Sequence, residues 1–175
     1  MSVDVEAFRA RLGKTLQHLV WMPLAGTDTP DLVAQYEQSS FWYTGAVLLA
    51  FEDQPDLYLT WQQQGHDIGL ITDEPELSWG RFSLDHINAS WNGLWEGIQG
   101  SCLTDVELFS IDDVGASCIV AIKLSLRTTL GKRELWIASG YEPVAGDGDD
   151  LYIGLDVPPT VGAVLTKAGA LHFTL

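Results

Sequence analysis

The densest group of potential ligands in this sequence lies between Gly146 and Asp156. Asp147, Asp149 and Asp150 crowd a glycine-rich loop there, and Asp156 follows the strand candidate Leu151 to Leu155. Hard cations such as Ca²⁺ take about six to eight oxygens from flexible acidic loops, so divalent-cation binding is the first chemistry to consider. The spacing departs from an EF-hand: there is no D-x-D-x-D-G run and no Glu at the twelfth position. A polar hairpin loop accounts for the same residues, with Gly at positive φ and Asp capping the backbone. Asp147, Asp149 and Asp150 are therefore candidate binding residues in a loop that could meet a partner protein, and no metal site is assigned.

Glu52-Asp53, Asp73-Glu74-Glu76 and Asp112-Asp113 all fall in predicted turns. Paired carboxylates hydrolyse glycosides only when a cleft holds them roughly 5 to 10 Å apart. Acids in turns are ordinarily solvated, and these are read that way.

The aromatic residues offer a second kind of site. Among seven tryptophans, Trp79, Trp91 and Trp95 are interleaved with Asn, Ser and Gly. Rings on irregular segments beside polar residues can form a ligand platform or an interface hot spot; equally, they can plug one end of a β-structure as core. All three join the candidate binding set. Trp61 shares an alternating face with Leu57 and Leu59 and reads as core.

Nucleophile and metal chemistry find little support. His18, His66, His86 and His172 lack a metal-type partner at i+2 or i+4. His66-Asp67 and Asp85-His86 are adjacent pairs, but a catalytic Asp–His contact is spatial and seldom sequential. No G-x-S-x-G elbow, phosphate-binding loop, G-x-G-x-x-G or H-E-x-x-H occurs. Cys102 and Cys118 form no C-x-x-C pair and sit among apolar or small residues, as buried strand thiols do. The sequence points away from an enzyme and implies no cofactor.

Charge is the strongest compositional signal. Twenty-four Asp and Glu face nine Lys and Arg in 175 residues, a net charge of −15. Neutralising phosphates needs a basic patch, so nucleic acid is not an expected partner. The longest run without Lys or Arg extends between Lys14 and Arg81. Such a surface steers a basic partner toward it, or simply keeps the chain soluble. Met1 through Lys14 is charged and amphipathic, unlike a signal peptide. Leu19 to Ala25 is too short an apolar stretch to span a bilayer. The expected location is the cytoplasm, away from membranes.

These residues must be positioned by a fold, and the patterning predicts its elements. Phe8, Leu12, Leu16 and Leu19 recur at helical spacing, which predicts a helix from Asp4 to about Leu19, capped by Asp4, with Gly13 as a point where it could stop. Phe41 to Phe51 and Leu57 to Gln63 form a hairpin around Asp53-Gln54-Pro55-Asp56. Asp67 to Thr72 is a further strand, Trp79 to Leu84 another candidate, and Asn88 to Gly100 a short helix or irregular segment. Leu103 to Ile111 alternates, with Val106 and Leu108 facing one way and Phe109 and Ile111 out of strict step. Ala116 to Arg127 reads as a long strand with Cys118, Val120, Ile122, Leu124 and Leu126 on one face. It returns through Thr129-Leu130-Gly131-Lys132 into Arg133 to Tyr141. Leu151 to Leu155, Val161 to Leu165 and Leu171 to Leu175 complete the set.

The expected fold is α+β over a single domain, residues 1–175: an N-terminal helix followed by a mainly antiparallel β-sheet, as a sandwich or partly open barrel. The expected function is that of a non-enzymatic acidic protein binding a basic protein partner, of the toxin-neutralising, immunity-like kind. The alternative is a small-molecule or divalent-metal-binding β-domain, including an enzyme of unrecognised type. A third possibility is self-association through an edge strand such as Leu171 to Leu175.

Overall fold

The computed structural model describes residues 3–26, 37–64, 67–73, 83–89, 93–111, 118–140, 150–160 and 165–174. A short helix, α1 (Val5–Arg9), precedes the strands. These are β1 (Leu16–Pro23), β2 (Ser40–Tyr43), β3 (Gly45–Phe51), β4 (Leu57–Gln64), β5 (Asp67–Ile71), β6 (Ile87–Asn88), β7 (Cys102–Ile111), β8 (Ala121–Thr128), β9 (Gly131–Ser139), β10 (Leu151–Leu155) and β11 (Leu165–His172). A 3-10 helix covers Gly93–Ile98. The strands form two sheets, ordered β5-β4-β3-β1-β6 and β11-β7-β8-β9-β10-β2, and every strand pair is antiparallel. Neither closes into a barrel, so the α+β sandwich is the form adopted.

One apolar core lies between the sheets. Leu19, Trp21, Val47, Leu49 and Leu59 from the five-stranded sheet meet Val106, Leu124, Ile137 and Ile153 from the six-stranded one. Backbone hydrogen bonds also join the two sheets. Leu16 N–H donates to Ser101 O (2.8 Å) and Leu103 N–H to Lys14 O (3.0 Å); elsewhere Leu70 N–H donates to Ile119 O (2.7 Å).

The N-terminal helix is shorter than its apolar spacing predicts. Asp4 does cap it, accepting from the N–H groups of Glu6 and Ala7. The chain then leaves helical geometry and passes through Gly13 at φ +78°, and Leu16 begins β1. The helix-like recurrence of Leu16 and Leu19 has a different cause. A register shift between Leu16 and His18 inserts an extra residue, so both leucines face the core although three positions apart.

A second departure lies at residues 118–120. Cys118 and Val120 pack with Ala121, Trp136 and Tyr152 in a separate cluster, while Ile122, Leu124 and Leu126 belong to the main core. Val120 N–H donates to Phe109 O (2.9 Å) and Val120 O accepts from Ser139 N–H (2.9 Å), just ahead of β8. The single alternating face expected from Cys118 to Leu126 is therefore broken at Val120–Ala121.

The expected hairpin around residues 53–56 is present as β3 and β4. The run Phe41 to Phe51, however, is two strands in different sheets. The chain crosses at Thr44-Gly45, where a Cβ on Gly45 would stand 2.1 Å from Met22 O. Tyr43 Oη donates to Ala46 O (2.6 Å) and Thr60 Oγ1 to Gly45 O (3.1 Å), which pins the crossing. The β8–β9 hairpin forms as patterned, with Thr128 opposite Gly131.

Candidate functional site

Of the residues expected to form a binding site, Asp147, Asp149, Trp79 and Trp91 lie outside the described residues. Asp150 is half-buried at the entry to β10. Its Oδ1 accepts from Thr44 Oγ1 (2.9 Å) and its carbonyl from Gly140 N–H (2.7 Å), so it braces the crossing between sheets. Trp95 occupies the core, the other of the two places its sequence context allows. It has no solvent exposure. Its Nε1 donates to Gln38 O (3.0 Å), and its ring meets Trp21 edge-on at 5.3 Å and Phe41 at 5.9 Å. Asp150 and Trp95 are thus held by separate sets of partners.

A different group of acids converges. The α1 cap, the β3–β4 turn and the end of β5 bring Asp4, Asp56 and Asp73 around a cleft of about 260 Å³, with Thr72, Tyr58 and Arg11 in its lining. Asp4 N–H donates to Thr72 Oγ1 (2.6 Å), which ties the helix cap to the strand end. Arg11 organises the floor. It is 4% exposed. Its Nη1 donates to Ala7 O and its Nη2 to Pro55 O, both at 2.5 Å, so one guanidinium clamps α1 to the β3–β4 turn. Its buried Nε has no hydrogen-bond partner among the described residues. Burial pushes the guanidinium below its ordinary pKa, and the carboxylates of Asp4 and Asp56 counter this without cancelling it. Arginine nevertheless stays charged. Three acidic side chains stand around this one arginine, so the cleft suits a cationic group. Among the described residues, no group of three or more His, Cys, Asp or Glu is arranged to hold a metal ion.

This convergence was hidden in the sequence because each residue has a sufficient local explanation. Asp4 caps a helix, Asp56 and Asp73 occupy turns, and Arg11 falls within a helical pattern. The usable signal was the lysine- and arginine-free run from Lys14 to Arg81, which contains both turns.

That run has a structural counterpart. No strand of the five-stranded sheet contains Lys or Arg. The six-stranded sheet holds Lys123, Arg127, Lys132, Arg133 and Lys167. Three of these are paired locally. Glu107 lies between Lys123 and Lys167, Lys123 also meets Glu134 at 3.5 Å, and Arg133 Nε donates to Asp156 at 2.5 Å. Hydrogen bonds from the two lysines hold the Glu107 carboxyl below the usual range. Burial pulls the Lys123 ammonium down, but Glu107 and Glu134 outweigh it and raise its pKa. At the edge, His172 Nδ1 meets Asp105 Oδ1 at 2.7 Å and lowers that carboxyl.

The fold and site define an α+β sandwich whose basic residues are partly neutralised on one sheet and which gathers three acids, Asp4, Asp56 and Asp73, in a cleft beside the other. The chain matches no family model, no curated protein and no solved structure. No helix among the described residues is long and apolar enough to cross a membrane.

Proposed function

We propose that this is a non-enzymatic acidic binding protein that recognises a basic protein partner. The observation that carries this reading is the segregation of charge: a five-stranded sheet without Lys or Arg, beside a cleft where Asp4, Asp56 and Asp73 converge. Three acids around one arginine leave an excess of negative charge, and such a field raises the encounter rate with a basic surface. Within about 8 Å at physiological ionic strength, such a field is only partly screened. In its finer form, the reading makes the partner a toxin and this chain its neutralising, immunity-like counterpart in the cytoplasm, without nucleic-acid or membrane contact. At this cleft a small-molecule site has less support, because about 260 Å³ falls short of the roughly 300–1,000 Å³ of such pockets.

The test is affinity capture with the wild-type chain and with the Asp4→Asn/Asp56→Asn/Asp73→Asn variant, at low and high salt. A basic partner held at low salt, released at high salt and held less well by the variant supports the reading. Capture indifferent to ionic strength and to the three substitutions overturns it. Asp4→Asn retains a capping side chain, so the variant is expected to fold.

A further inference from the structure

We draw no further inference here: the strongest candidate, the cleft between α1, the β3–β4 turn and the end of β5, is an acidic cluster whose one orphaned donor, Nε of Arg11, calls for an acceptor where Asp4, Asp56 and Asp73 call for a cation, so nothing in the structure points to one ligand.

Discussion

The ring of Phe173 lies over Gly13, so close that a Cβ built on the glycine would stand 2.4 Å from Cε2 of the ring. Both residues are tied to the start of β7: Gly13 N–H donates to Leu103 O and Phe173 N–H to Thr104 O, each at 2.8 Å. The turn after α1 and the segment after β11 therefore pack against one another across a shared strand.

Gly13→Ala is expected to cost about 1–3 kcal/mol, combining left-handed backbone strain with displacement of the ring. Urea unfolding of Gly13→Ala, Phe173→Ala and the double variant separates the two parts. The ring contribution should appear as a coupling of at least about 0.5 kcal/mol. Strict additivity would mean that the two residues do not press on each other.

Gly45→Ala should be worse. The obstacle is Met22 O, a backbone atom of β1 that cannot swing aside as a phenyl ring can. A loss above about 4 kcal/mol, or failure to fold, is expected. A urea midpoint equal to that of Gly13→Ala would show that the crossing at Thr44-Gly45 is loose.

Arg11→Lys should not preserve stability despite keeping the charge. A single ammonium on a flexible stem lacks the rigid fork that reaches Ala7 O and Pro55 O together. Losing hydrogen bonds from a charged donor costs about 2–3 kcal/mol, or roughly 4–12 °C in melting temperature for a chain of this length. A melting temperature matching wild type would reduce the clamp to an incidental contact.

The carboxyls of Asp105 and Glu107 are both held below their usual range, by His172 and by Lys123 and Lys167 respectively. A carboxyl depressed in the folded state contributes stability above its unfolded pKa and loses it as pH falls through the folded value. Unfolding free energy should therefore decline on acidification from about pH 4.5 downward. Lys123 acts at the opposite end. Its raised pKa contributes stability that is lost as pH rises above about 10. Glu107→Gln should flatten the acid limb in denaturant titrations across pH. An unchanged slope would mean that these pairs are already satisfied by water.

Much of the fold was legible because alternation and turn chemistry agree over long stretches, as in β3 with β4 and β8 with β9. What misled was irregularity. The shift at Leu16/His18 imitates a helical repeat, the break at Val120 interrupts a face whose apolar residues recur at every second position, and Gly45 divides one apolar run between two sheets. Each is a backbone event that leaves side-chain periodicity intact or counterfeits another. The cleft was less legible. Asp4, Asp56 and Asp73 come from three elements far apart in the chain, and Arg11 has its role only through a carbonyl at Pro55.

The pairing of β2 with β10 sets an order of events during folding. Thr44 and Asp150, which join these strands at the crossing, are 106 residues apart in the chain. Among the described residues β2 has no other strand partner, whereas β8 and β9 meet across a short turn. Local hairpins form quickly, and pairings that close long loops form slowly. During synthesis Phe41, Trp42 and Tyr43 must therefore wait, unpaired, until Leu151–Leu155 has emerged. An aromatic strand without a partner is open to association with other chains, so the sheet crossing leaves this segment exposed for an interval of the protein's assembly.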